Sequence, residues 1–412
     1  MFFKSVGKQI FLLGFNLFVC FSLSAQEAFV FEGKRSQELL GFKKSRGLVI
    51  LPMYINGKGP FNFILDTGVG SVIITDAKLK DSLNLQHLRK IAIDGLGEND
   101  KLIGFSTPFL TLKVGSAVYK SASAVILESD NFDLSGYFGM PIHGLLGYDF
   151  FKSFIVKLNY EAGVLKVFSK KKARLFKNGT RIPMLIVDKK PFIDALVVTD
   201  QGKKLNLKLL VDCGSGHPLS LQSFENKPFE LPHNFVLANL GVGLNGNIKG
   251  VDGRVSKLSI GKFTFDNMLT SFPHFKDVGA KLNPNTSNGS IGNPLLSRFS
   301  VVFDYQNQHL FLKPLNRINR PFDYDKSGLE LVCVGDNFDR YLINRVVPGS
   351  AADEFGLMSG DELLAINFTK VAALTYSEIV KMLSSEPGRT LFIEVARGDE
   401  VIMGVLKLKQ RI

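Results

Sequence analysis

Tryptophan is absent from the 412 residues and cysteine nearly so, with three in all, of which only Cys213 and Cys333 lie beyond the N-terminal segment. A chain of this length builds its core from apolar burial and needs no disulfide framework, so both are expected as free thiols. Histidine is scarce as well: His87, His143, His217, His233, His274 and His309 show no ligand spacing, and neither a metal site nor a cofactor is expected. No apolar run after residue 25 is long enough to cross a bilayer. Helical periodicity is brief, after Asp76 and from Tyr148 to Lys152, which speaks against a helical bundle.

Charge and aromatics are plentiful. The net charge of +12 and pI near 9.4 invite a nucleic-acid reading only if the basic residues cluster. The densest run, Lys170, Lys171, Lys172, Arg174 and Lys177, falls between two folded segments and reads as solvated linker, so no nucleic-acid partner is expected. The 36 Phe and nine Tyr read as core filling. At the N-terminus, Lys4 and Lys8 precede an apolar stretch from Ile10 and a small-residue exit at Ser24-Ala25. That is the layout of a secretory signal peptide, residues 1–25, and implies export to the periplasm, the cell envelope or the medium. A lipidated Cys20 is the weaker reading, because bulky Val19 precedes it.

The chain repeats itself. Asp66 in FNFILDTGVGSVIIT and Asp212 in LNLKLLVDCGSGHPLSL lie 146 residues apart. The same offset relates Gly95-Leu96-Gly97 to Gly241-Val242-Gly243, and Leu112–Gly115 to Leu258–Gly261. Further on, GLLGYDFFKSFIVKLNYEAGVLKVF from Gly144 matches GSIGNPLLSRFSVVFDYQNQHLFLK from Gly289, pairing Phe154 with Phe299 and Tyr160 with Tyr305. The chain therefore holds two copies of one unit. Each consists of short apolar runs bounded by turn pairs such as Asn56-Gly57, Asp94-Gly95, Asn178-Gly179 and Asp252-Gly253, a mainly β pattern.

In each copy a strand delivers an Asp into a turn whose third residue is Gly. Gly68 and Gly214 leave amides free to point at the carboxylates. A two-fold arrangement would bring Asp66 and Asp212 face to face, where they cannot both ionise and so share one proton. One could then act as general base toward a water while the other polarises a carbonyl. GVGLNG (Gly241–Gly246) also satisfies a dinucleotide-loop pattern, but the stretch IKGVDGRVSKLSIG just after it is not helical.

The segments ILDTG and VDCGSG, with Leu145-Leu146-Gly147 and Ser290-Ile291-Gly292 about 80 residues after each Asp, resemble the two half-sites of pepsin-like and retropepsin-like aspartic proteases. The resemblance implies a bilobal β fold, each apolar-apolar-Gly segment threading behind its catalytic loop. It implies Asp66 and Asp212 as the catalytic pair, supported by Thr67, Gly68, Cys213 and Gly214, where Cys213 stands in for the family's Thr or Ser. It also implies β-hairpin flaps over an extended peptide or protein substrate, with tips near Gly95-Leu96-Gly97 and Gly241-Val242-Gly243. A non-catalytic peptide-binding protein with the same cleft is the alternative.

From residue 327 the chain resembles a bacterial PDZ domain, through Val347-Pro-Gly-Ser-Ala-Ala352, Phe355-Gly-Leu357, Gly360-Asp361, Leu364–Asn367, a helix from Tyr376 to Leu383, and Leu391–Arg397. The resemblance implies a small α+β module that adds a peptide strand to a sheet edge and captures a C-terminal carboxylate in the loop holding Gly328, Leu329, Glu330 and Leu331. The expected organisation is thus a signal peptide (1–25), two lobes (26–171 and 172–314), a linker (315–326) and the α+β module (327–412).

Overall fold

The computed structural model describes residues 28–93, 95–98, 102–129, 133–169, 179–282 and 286–412. The expected signal peptide, the basic run from Lys170 to Lys177, and the turn residues Asp94 and Asn178 lie outside these residues.

Short apolar runs between turn residues yield a mostly β molecule, 52% strand and 10% helix, and the two repeats fold alike. Lys58–Leu65 leads into Asp66, and Lys204–Asp212 carries Asp212 at its end. Beside the first runs Gly144–Leu146, parallel to it with Leu146 opposite Leu65 and antiparallel to Val72–Ile74. Beside the second runs Gly289–Gly292, parallel with Ile291 opposite Val211 and antiparallel to Leu219–Leu221. Each apolar-apolar-Gly segment therefore lies where the repeat pattern puts it. Gly147 and Gly292 are needed there: a Cβ would stand 2.3 Å from the Val69 and His217 carbonyl oxygens respectively.

The lobes share a six-stranded sheet in which Phe154–Asn159 pairs with its repeat counterpart Phe299–Asp304, Val156 opposite Phe303. Phe63, Leu65, Leu209, Val211 and Ile291 are buried in one core that spans both repeats. Asn56-Gly57 makes the expected hairpin turn, with φ of 49° and 78°, the left-handed values that a two-residue turn demands. Asp252-Gly253 does not turn. It lies inside the strand Gly246–Ile260, opposite Val236 and Phe235, and the glycine serves a close approach, since a Cβ would meet the Pro232 ring at 2.4 Å. The expected helices form as Leu79–Ser82 and Tyr148–Ser153. Leu134–Phe138 and Asn293–Leu296 were not anticipated, being too short for a period to show.

The C-terminal module has its own sheet, from Leu329–Val334 to Glu400–Lys407, and its own core around Leu331, Ile343, Ile379 and Leu391. Its helix Tyr376–Leu383 starts with a capping box between Thr375 and Glu378, which satisfies two otherwise orphaned amides. The segment 315–326 that leads to it is held down. Arg298, stacked 3.3 Å from the Phe322 ring centroid, donates to the carbonyls of Ile318 at 3.1 Å and Pro321 at 2.9 Å.

Candidate active site

The two Asp-x-Gly turns meet at the lobe interface. Gly68 N–H donates to Asp66 Oδ1 at 2.6 Å, and Gly214 N–H to Asp212 Oδ1 at 2.8 Å. Each carboxyl is thus fixed by the third residue of its own turn. The two carboxyls lie side by side, close enough for the charge of Asp66 to act on Asp212. Neither glycine can be replaced without disturbing the pair: a Cβ at Gly214 would stand 2.3 Å from Asp66 Cγ, and one at Gly68 3.0 Å from Asp66 Oδ1 and 3.4 Å from Asp212 Oδ2. Burial raises the pKa of Asp66. Asp212 is pushed well above the ordinary carboxylate range, first by burial and then by the charge of Asp66. The pair therefore holds one proton between its members.

Behind the carboxyls the residues after each Asp exchange contacts across the interface. Thr67 Oγ1 donates to the Val211 carbonyl at 2.6 Å and accepts from Cys213 N–H at 2.9 Å. In the mirrored direction, Cys213 Sγ donates to the Leu65 carbonyl at 3.2 Å. The thiol thus occupies the counterpart of the Thr67 hydroxyl and makes the corresponding bond. It is buried, and burial followed by the charge of Asp66 raises its pKa, so it stays protonated and does not act as a nucleophile. Cys333 is likewise buried and free.

One supporting pair is not visible in the sequence pattern. Tyr160 Oη donates to Asn293 Oδ1 at 2.6 Å, and Asn293 Nδ2 donates to the Cys213 carbonyl at 2.7 Å. This ties the second Asp-x-Gly turn to the far lobe. The repeat alignment pairs Tyr160 with Tyr305, and that match is its only trace in the sequence.

Both hairpins form and their ends touch. Arg89–Ile93 and Leu102–Val114 make the first, with Gly95, Leu96 and Gly97 in the connecting segment. In the second, Phe235–Gly243 and Gly246–Ile260 close through Gly243 opposite Gly246. Its tip is therefore Leu244-Asn245, and Gly241, Val242 and Gly243 belong to the incoming strand. The glycine spacing located the hairpin but not its turn. Asn245 N–H donates to the Leu96 carbonyl at 2.9 Å and Glu98 N–H to the Asn247 carbonyl at 3.1 Å. Val242 and Leu244 pack over an apolar patch of the first lobe that includes Ile50, Ile73 and Leu145.

In the C-terminal module, Gly328 has φ of 80° and no room for a side chain, a Cβ lying 2.1 Å from Ser350 Oγ. Leu329 and Leu331 are buried in the module's core. Glu330 pairs with Arg345 at 2.8 Å and accepts from Asn239 N–H of the second flap at 3.4 Å.

Residues 51–150 match the family model of an aspartyl protease, and residues 342–397 that of a PDZ domain. The first match contains Asp66; Asp212 and the second repeat lie outside it. No curated protein matches the chain. A similar solved structure is a photosystem II D1 C-terminal processing protease, 19% identical with a TM-score of 0.20, the match covering 21% of this chain and 23% of that one. The chain thus spans less than a quarter of that protein's length, a likeness too slight to inform the fold. By its matched segments, the chain carries an aspartyl protease domain followed by a PDZ domain.

Proposed function

We propose that the protein is an exported aspartic endopeptidase, cutting extended peptides or unfolded protein segments with Asp66 and Asp212. The observation that carries this reading is the pair of adjacent buried carboxyls, each locked by its own Gly amide. The ionised member takes a proton from a water held between them, and the water oxygen attacks the peptide carbonyl. The protonated member donates to the carbonyl oxygen as it gains charge, and the departing amine takes up a proton as the C–N bond breaks. The two flaps supply backbone groups to an extended chain, and Val242 and Leu244 give the cleft an apolar roof. The PDZ domain binds peptide in addition. Export rests on the layout of residues 1–25.

The sign of the pH dependence is set by the raised pKa values. The working state carries one proton, which burial retains to higher pH than an exposed carboxyl would. Activity is expected in acid and is lost as pH rises through the upper pKa of the pair. The test is to incubate mature protein with a denatured protein mixture from pH 3 to 8, with and without an aspartic-protease transition-state analogue. Inhibitor-sensitive cleavage that falls at least ~100-fold in Asp66→Asn and Asp212→Asn is the expected outcome. Absence of such cleavage at every pH, with both variants matching wild type, overturns the reading in favour of a non-catalytic peptide binder.

A further inference from the structure

A PDZ groove receives a peptide strand between a sheet edge and a helix, and loop amides hold the terminal carboxylate. In this chain the edge strand is Leu329–Val334, the helix is Tyr376–Leu383, and the loop amides are engaged internally. Asp325 accepts from Ser327 Oγ at 2.6 Å, from Ser327 N–H at 3.3 Å and from Gly328 N–H. Ser327 Oγ accepts in turn from Leu329 N–H at 3.1 Å. A peptide's terminal carboxylate would find these three amides taken and face two carboxylates, Asp325 and Glu330. Bringing like charges together in a partly desolvated site is unfavourable. The loop is built against the ligand that such loops usually take.

At its Leu329–Val332 end the groove opens into a cavity of about 610 Å³ that reaches the second flap at Asn239 and Val242 and the first lobe at Arg46 and Tyr137. The far end of the edge strand is covered by Leu134–Phe138, with Gly136 against the Cys333 carbonyl. Glu330 stands in its wall with Oε1 on Arg345, while Oε2 is buried without a partner. A buried acceptor left unpaired is costly, and an incoming cation would relieve that cost. The chain itself shows that the wall accepts a cation. The Arg46 guanidinium lies between the rings of Tyr137 and Tyr376, at 3.7 and 4.0 Å from their centroids, and donates to the Leu331 carbonyl at 2.9 Å. Val380 and Leu383 line the remaining space and suit the aliphatic stem of a long basic side chain.

We propose that this cavity binds a basic side chain on a non-terminal, extended peptide segment, with Glu330 as the counter-ion. The ligand class is a peptide recognised by its lysine or arginine rather than by its C-terminus. The chain's net charge of +12 repels cationic peptides in general, so a preference for them has to come from a local site.

The test is fluorescence anisotropy on the full chain carrying Asp66→Asn, so that no probe is consumed. Four labelled hexapeptides are compared: one with a central lysine and one with norleucine in its place, each as free acid and as amide. The lysine peptides are expected to bind at least tenfold tighter than the norleucine peptides, with less than a twofold effect of amidation. Glu330→Gln is expected to reduce lysine-peptide affinity at least tenfold. Because that change also disturbs Arg345, Val380→Lys, which places a competing cation at the cavity from a half-exposed helix position, is expected to do the same. The proposal is overturned if norleucine and lysine peptides bind alike, if only the free acids bind, or if no peptide binds. Since the readout is binding, none of these outcomes bears on the peptidase reading.

Discussion

The Cys213 thiol reaches the Leu65 carbonyl at 3.2 Å, while the Thr67 hydroxyl makes the mirrored bond to Val211 at 2.6 Å, so the two Asp-x-Gly turns are tied in both directions, once by a weaker donor. A thiol is a poor donor, but at this site it is fully buried and its size fills the interface. Cys213→Ser should therefore keep the bond with a small loss of packing. Cys213→Val should keep the volume and leave the Leu65 carbonyl unpaired, at about 1–3 kcal/mol. The expected order of stability in urea unfolding is wild type and Cys213→Ser close together, with Cys213→Val lower by about that amount. If all three unfold at the same denaturant concentration, the thiol bond does not tie the turns. Both aspartates were legible in the sequence because a short motif recurs at a constant offset. The Tyr160–Asn293 tie was not, because it joins residues 133 positions apart through side chains that no motif connects.

The hairpins show the same limit one level up. Their existence and rough place were readable from glycine in matched positions, but the second turn fell one step beyond Gly243, on Leu244-Asn245. In G-V-G-L-N-G several pairs of residues could close a turn, and the register of the flanking strands, with Gly243 opposite Gly246, decides which one does. Contact between the hairpins was not readable, because it depends on how the lobes face each other. Gly97 is one of three glycines that permit it, with Gly95 and Gly243. The φ of Gly97 is 136°, and a Cβ there would meet the Asn245 carbonyl carbon at 2.5 Å and Gly246 N at 2.7 Å. Gly97→Ala should thus push the flaps apart while leaving the core intact. Amide hydrogen exchange at Asn245 and Glu98 is expected to speed up at least tenfold, with global stability changed by no more than about 1 kcal/mol. Unchanged protection at both amides would show that the hairpins meet by some other means.

At the scale of the molecule, the cavity between flap and PDZ groove exists only because the C-terminal module is held at a fixed place on the lobes. Sequence polarity and Pro321 mark 315–326 as a connection, and neither reveals that it is clamped. The clamp centres on one buried side chain, Arg298, whose pKa is lowered to about 10, chiefly by burial. It is joined by Arg254, which donates to the Phe322 carbonyl at 3.1 Å, and by Arg317, which donates to the Ser297 carbonyl. An irregular segment lying on a core must find partners for its carbonyls, and Arg298 supplies them at Ile318, Arg320 and Pro321 while its face covers Phe322. Replacing it by Ala removes these donors and the ring contact together, a loss of about 2–4 kcal/mol by comparison with other buried networks. Lysine keeps the charge but has no planar fork to span several acceptors, so Arg298→Lys should recover only part of it. The measurement is limited proteolysis of the native chain. In Arg298→Ala, nicking between residues 315 and 326 should accelerate at least tenfold and release an intact C-terminal module, which has a core of its own. Arg298→Lys should fall between Ala and wild type. Equal nicking rates in all three would mean that Arg298 does not clamp the segment and that its other ties, Arg254 on the Phe322 carbonyl and Arg317 on the Ser297 carbonyl, hold it.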